Sequence, residues 1–311
     1  DGVVRRLAPD VEMMLELMAS LGLPPLDSLD PAGARELMAA TAALRPPGPE
    51  VARVVDSVMD ATAGRLPYRL YVPEGTGPHP LIVYFHGGGW VLGNLDSDDP
   101  FCRDLCSQVG AAVVSVNYRH APEHRYPTAA EDAWEALGWA AAHASELGAD
   151  PERLVVAGWS AGGNLAAVVA QRSRDQGGPR LAGQVLVTPV VDCDLERDSY
   201  KRNGDGYVLT TALMRWFWDH YADPAVREDP TASPLRGRLA GAAPAVVVTA
   251  EFDPLCDEGV EYAKRLGEAG VAVTHIPARG QVHTSLTMVG QIISAAAIRR
   301  SLADAVRELV S

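Results

Sequence analysis

The stretch VVAGWSAGGNLAAVVA, residues 155–170, decides the fold. With Arg153 and Leu154 before it, the run RLVVAG (153–158) reads as a buried strand. Residues 161–175 then follow helical spacing. Between them lies Gly158-Trp159-Ser160-Ala161-Gly162, a G-x-S-x-G pattern. In that context the pattern has a physical meaning: small residues permit a tight strand-to-helix turn that holds a serine in a strained, projecting position. The helix N-terminus favours negative charge beside it. Ser160 is therefore the candidate nucleophile.

A serine hydroxyl attacks only when a base takes its proton, and the base must be oriented by a third group. In a strand-turn-helix setting the partners follow in the order acid, then histidine. His283 lies in ARGQVHTS (278–285), past the last apolar strand, whereas His275 sits inside the strand VAVTHIP (271–277) and reads as structural. Asp253 directly follows the apolar run 245–251. Glu251 and Asp257 compete for the acid role, but Glu251 belongs to the strand end and Asp257 suits the N-cap of the next helix. His283 must be neutral to act as base, so kcat/KM is expected to fall at acid pH.

Upstream, LIVYFHGGGW (81–90) drives five apolar residues into His86 and three glycines. Each glycine costs roughly 0.5–1 kcal/mol of backbone entropy in a regular element. Bare backbone has a use here, because acyl transfer puts negative charge on the former carbonyl oxygen. The N–H groups of Gly88 and Gly89, with that of Ala161, would form an oxyanion hole. Losing one such donor typically costs about 2.7–4 kcal/mol of transition-state stabilisation. Other readings fail on spacing. Leu92 stands where G-x-G-x-x-G needs its third glycine, and no glycine precedes Lys-Ser or Lys-Thr. Pro122 separates His120 from His124, and H-E-x-x-H does not occur, so no metal and no cofactor are expected.

Around these motifs, short Val- and Ile-rich runs at 81–85, 112–118, 153–158, 184–190, 245–251 and 271–276 alternate with helical segments at 127–147, 161–175, 257–269 and 285–310. Two alternating strands, 51–60 and 65–73, precede them. This grammar predicts an α/β fold: a mostly parallel eight-stranded sheet with helices on both faces. Helices at 9–21 and 31–45 precede the sheet. The connection from 190 to 245 is too long for a simple crossover. The expected organisation is N-terminal cap helices (1–48), a first core part (49–192), a cap insertion (193–228) and a second core part (229–311). The two cap pieces would pack together over the C-terminal edge of the sheet, where open α/β sheets bind ligands.

Bulk composition limits the function class. The chain has 311 residues, with 27 basic against 40 acidic side chains and a net charge of −13. No basic stripe of the nucleic-acid-binding type appears. No apolar run approaches the ~20 residues of a membrane span, and the first residues lack a signal-type apolar core. Cys102, Cys106, Cys193 and Cys256 form no Cys-x-x-Cys pair. Free thiols in a reducing, cytoplasmic setting are expected, with a bridge between Cys102 and Cys106, four apart on one helix face, as the alternative.

Taken together, HGGGW, YRHAPEHRYPTAAED, GWSAGGNLA, PVVD, SPL and DPLCDEG occur in an order and spacing that resembles the bacterial hormone-sensitive-lipase-like esterases of the α/β-hydrolase superfamily. The likeness runs from about residue 50 to the end. It implies Ser160 as nucleophile, Asp253 as acid, His283 as base, and Gly88, Gly89 and Ala161 as oxyanion donors. It also implies hydrolysis of short- to medium-chain acyl esters, and frequent pairing of two chains through the edge strand and helix near 271–310. Arg119 and Glu123 would hold the fold. Trp90, Trp159, Tyr207, Leu209, Met214, Trp216 and Phe217 are candidate pocket walls, although hydrophobic packing accounts for each equally well. Two departures stand out: Trp159 replaces the usual aspartate before the nucleophile, and Thr284 and Ser285 follow His283 where a small residue and an aromatic are usual. Amidase, arylformamidase or acyltransferase chemistry would use the same machinery. A non-catalytic ligand-binding protein on this fold is the remaining alternative, and the presence of His283 argues against it.

Overall fold

The computed structural model describes residues 4–62 and 64–311. Eight strands form one sheet: β1 (Arg53–Ala61), β2 (Gly64–Val72), β3 (His79–Phe85), β4 (Ala112–Val116), β5 (Ala149–Trp159), β6 (Gly183–Val187), β7 (Ala245–Phe252) and β8 (Val273–Val282). Their order is β1-β2-β4-β3-β5-β6-β7-β8. The first two strands pair antiparallel with each other, and β2 is antiparallel to β4; the remaining pairs are parallel.

Strands β3, β4 and β6 are buried along their whole length. That is why their sequences are continuously apolar rather than alternating: both faces must be covered. Nine helices are described: α1 (Pro9–Ser20), α2 (Pro31–Ala42), α3 (Asp99–Val109), α4 (Thr128–His143), α5 (Ala161–Asp175), α6 (Asp198–Arg202), α7 (Thr211–Tyr221), α8 (Cys256–Glu268) and α9 (Ala296–Leu309). Alternate residues of each strand feed two cores. On one face Ile82, Tyr84, Val155 and Val185 pack with Phe101 and Leu105 of α3 and Leu302 and Val306 of α9. On the other, Leu81, Val83, Phe85 and Val156 pack with α4, α5 and α8.

Four expectations need correction. Helix α3 was not foreseen, although Phe101, Cys102, Leu105, Cys106 and Val109 recur at helical spacing and Pro100 sits in its first turn. The last helix starts at Ala296, not 285; residues 285–295 hold two 3₁₀ turns, Ser285–Thr287 and Ile293–Ala295. Strand β8 runs on to Val282, so His283 follows it at once. Asp257 is not an N-cap: it lies inside α8, accepts from the Ser199 N–H (2.9 Å) and pairs with Arg202 (3.1 Å). All four cysteines are free, with Cys102 and Cys106 buried in the α3 core.

The N-terminal segment and the 193–228 connection meet, because the 3₁₀ turn Leu26–Ser28 packs against α7. Arg35 of α2 fastens this piece to the core. Its Nε donates to the Val91 carbonyl and its Nη2 to that of Ala121, each at 2.9 Å, while the guanidinium fork grips Glu123 at 2.6 and 2.7 Å. The Arg35 hydrogen bond holds the Glu123 carboxyl down at about 2. Arg119 donates to both Asp132 oxygens at 2.9–3.0 Å. No described helix is long and apolar enough to cross a membrane.

Candidate active site

Ser160 stands at the C-terminal end of β5 with φ +59° and ψ −116°. A non-glycine residue there stores of order 1–3 kcal/mol of strain. Neighbouring backbone enforces it: Ser160 N–H donates to the Val187 carbonyl (2.9 Å), and its carbonyl accepts from Asn164 (3.0 Å) and Val190 (3.2 Å). The flanking glycines are steric requirements. A Cβ on Gly158 would strike the Gly162 carbonyl, and one on Gly162 would strike the Phe85 carbonyl. The motif thus lets α5 leave β5 while its first turn presses on β3.

Asp253 follows β7 and His283 follows β8, the next strand in the sheet. Asp253 Oδ1 accepts the Leu255 N–H at 3.0 Å, which fixes the carboxylate. Its Oδ2 lies 2.8 Å from His283 Nδ1, and His283 Nε2 lies 2.9 Å from Ser160 Oγ. A carboxylate can only accept here, so Nδ1 carries the proton and Nε2 presents its lone pair to the serine O–H. All three groups are buried, leaving 6% of Ser160, 1% of Asp253 and 4% of His283 exposed. The competing acids point elsewhere: Glu251 Oε1 accepts from Gly280 N (2.9 Å), and Asp257 serves α6. His275 Nε2 meets Thr249 Oγ1 at 2.8 Å, away from the serine.

The glycine loop leaves β3 with Gly88 at φ +122° and Gly89 at φ +61°. Cβ atoms there would collide with the Leu92 carbonyl and the Phe217 ring respectively. Among the described residues, the N–H groups of Gly88, Gly89 and Ala161 donate to no protein acceptor. Their neighbours, by contrast, are tied down. Gly87 N–H donates to Asp98 Oδ2 (3.1 Å), His86 Nδ1–H to the Gly87 carbonyl (2.7 Å), and Tyr118 O–H to the His86 carbonyl (2.8 Å). Asp98, at the N-cap position of α3, turns its side chain inward to this loop and to Tyr84 O–H (2.6 Å). Burial pushes its carboxyl pKa up.

Asp98 and Asn203 are the residues that sequence reasoning missed. Asn203 donates to the Asp253 and Glu251 carbonyls, each at 3.1 Å, and so pins the acid's backbone. Nothing local distinguishes either residue from an ordinary turn or cap polar group, and only the long-range partner reveals its task.

The seven wall candidates separate. Trp90 is fully buried and stacked on Tyr221 (4.0 Å, 8°), and Met214 is 1% exposed. Phe217 lies against Gly89, and Leu209 is buried. Tyr207 is half-buried beside Phe252 (5.2 Å), and Trp216 is half-buried at α7. Trp159 is buried under His283 rather than in an open wall. The polar departure after His283 is absorbed by Ser285, whose hydroxyl accepts the Val282 N–H (2.9 Å).

Beneath the glycine loop, His120 Nε2 lies 3.3 Å from His86 Nε2. Burial first, then repulsion between a protonated His120 and its neighbours His86 and Arg35, pushes His120 down to about 3, and burial also lowers His86. Both rings are therefore neutral when folded and gain protons when unfolded. Their stabilising contribution is complete above about pH 6.5 and is lost as pH falls from there toward 3. The urea midpoint is expected to drop over that window, and His120→Leu should flatten the slope; an unchanged slope would contradict this account.

A serine in an enforced strained turn, hydrogen-bonded to a carboxylate-anchored imidazole at the C-terminal edge of a mixed α/β sheet, has the architecture of an α/β-hydrolase. Comparison with known proteins agrees. The family described as alpha/beta hydrolase fold matches residues 82–287. The chain is 43% identical over 284 residues to the carboxylic ester hydrolase LipN of Mycobacterium tuberculosis, covering 86% of this chain and 73% of that protein. It is 44% identical to an ethyl acetate hydrolase of Pseudomonas putida, covering 74% of each. A thermostable esterase from Pseudomonas putida superposes with a TM-score of 0.94 at 36% identity, over 100% of this chain and 99% of that one. This chain belongs to the alpha/beta hydrolase fold family.

Proposed function

We propose that this chain is a serine carboxylesterase that hydrolyses short- to medium-chain acyl esters through an acyl-enzyme on Ser160. The relatives' shared activity as ester hydrolases supports the reaction class. The observation that carries the mechanism is the unbroken chain from Ser160 Oγ through His283 to Asp253, at 2.9 and 2.8 Å. Ser160 Oγ attacks the ester carbonyl carbon while His283 Nε2 takes its proton. The oxygen becomes an oxyanion and meets the free N–H groups of Gly88, Gly89 and Ala161. His283 then gives the proton to the departing alkoxide, leaving the acyl group on Ser160. A water molecule, deprotonated by His283, repeats the sequence and releases the acid.

In this reading residues 1–48 and 193–228 form the cap. Phe217 borders the oxyanion loop, and Tyr207, Leu209 and Trp216 bound the acyl or alcohol side. Four free thiols suit a cytoplasmic setting. Self-pairing along β8, the edge strand, completes it and is checked by mass in solution. A series of p-nitrophenyl esters from acetate to palmitate tests the substrate class. Turnover should peak among the shorter acyl chains; a palmitate maximum, or no hydrolysis of any ester, would overturn it. Added alcohols should divert little of the acyl group, whereas dominant transfer would make the chain an acyltransferase.

A further inference from the structure

Trp159 stands directly before the nucleophile, and its indole is engaged on three sides. Its Nε1–H donates to the backbone carbonyl of His283 at 3.3 Å. Its ring lies over the His283 imidazole, with centroids 5.4 Å apart and planes 30° apart. Its six-membered edge occupies the space that a Cβ on Gly87 would need. One rigid, buried side chain thus touches the histidine's ring, the histidine's backbone and the root of the glycine loop. A turn residue chosen only to fill the core needs no donor aimed at that carbonyl.

The stack has an electrostatic consequence. When His283 accepts the serine proton, the imidazole becomes a cation. Asp253 meets that charge at Nδ1, in the plane of the ring. The negative face of an indole attracts a cation lying over it, and tryptophan does so best among the aromatics. The attraction is absent for the neutral ring and grows as the proton moves. It therefore acts more strongly in the transition state than in the ground state, which is the condition for raising kcat rather than lowering KM. The Nε1–H bond meanwhile fixes where the imidazole stands, because residues 285–287 beyond it form only a single 3₁₀ turn.

We propose that Trp159 is a positioning residue for the esterase reaction: its N–H holds the His283 loop and its ring face stabilises the imidazolium formed as Ser160 gives up its proton. This rests on the catalytic reading of Ser160, His283 and Asp253 given above. It also explains why Gly87, whose φ is not in the left-handed region, is nevertheless glycine: the indole fills its side-chain space.

The test uses Trp159→Leu, Trp159→Phe and Ser160→Ala in the full chain. The readouts are kcat and KM for p-nitrophenyl butyrate and the rate at which a neutral organophosphate labels Ser160. Trp159→Leu removes ring and N–H together and should lower both kcat and labelling by about tenfold or more, with KM within about twofold. Trp159→Phe keeps a ring face and should recover part of this, settling about threefold below the parent. A raised KM with kcat preserved would make the indole a pocket wall and overturn the proposal. So would a leucine variant with parental kcat, or a phenylalanine variant as slow as leucine, which would leave the ring face no part in the reaction. If Trp159→Leu does not fold, Trp159→Phe decides: parental kcat and labelling rate there end the proposal. Turnover by Ser160→Ala would instead sink the catalytic reading itself, so the two failures are distinguishable.

Discussion

Ser160→Ala is expected to lower kcat for a short-chain ester by about 10⁶-fold, with the fold intact. The reason is chemical rather than structural. Among the described residues the Oγ has one partner, His283 Nε2, while the strained backbone is set by bonds from the peptide groups of residues 160, 164, 187 and 190, which alanine keeps. Alanine also retains the Cβ, so the φ of +59° is no worse tolerated than in the parent. Secondary structure and melting should be nearly unchanged. What turnover remains would reflect binding and the free amides of Gly88, Gly89 and Ala161 acting on a water attack. Retained kcat in a folded variant would remove the acyl-enzyme from the mechanism.

Asp253→Asn carries the second large effect, a loss of about 10⁴-fold in kcat with little change in KM. The carboxamide is nearly isosteric and can still accept the Leu255 N–H through its oxygen. That choice turns its NH₂ toward His283 Nδ1. A donor facing Nδ1 favours the opposite tautomer, with the proton on Nε2, and that nitrogen then has no lone pair for the serine hydroxyl. Two neighbouring acids provide the control. Glu251→Gln keeps the acceptor for Gly280 N–H, and Asp257→Asn alters only the contact with α6. Both should stay within about threefold of the parent kcat, since neither carboxylate touches the imidazole. A loss at either of them equal to that at Asp253 would reassign the acid.

The parts of this protein that were legible in the sequence are those governed by local rules. Strands β3 through β7 announce themselves as short Val- and Ile-rich runs because both faces of a parallel sheet are buried. The turn at Ser160 is legible because Gly158 and Gly162 are sterically required within five residues of each other. Helix α3 carries an apolar stripe, Phe101, Leu105 and Val109, at helical spacing. α9 starts eleven residues after the apolar spacing begins at 285, because that spacing alone does not distinguish a helix from successive 3₁₀ turns. Trp90 and Met214 read as pocket walls from their chemistry, whereas their burial depends on the long-range meeting of the glycine loop with α7.

Sequence by itself determined the succession of strands along the chain, the strained serine, the bare glycines and the short set of acids and histidines able to serve it, because each depends on neighbours a few residues away. Tertiary structure alone decided which carboxylate faces His283, that Asp98 and Asn203 anchor the oxyanion loop and the acid from afar, and that the indole of Trp159 lies beneath the imidazole rather than in the pocket. Those outcomes depend on how the folded sheet stacks segments 11 to 123 residues apart in the chain, where a single polar side chain gains its role only from the partner that the fold brings within 3.1 Å.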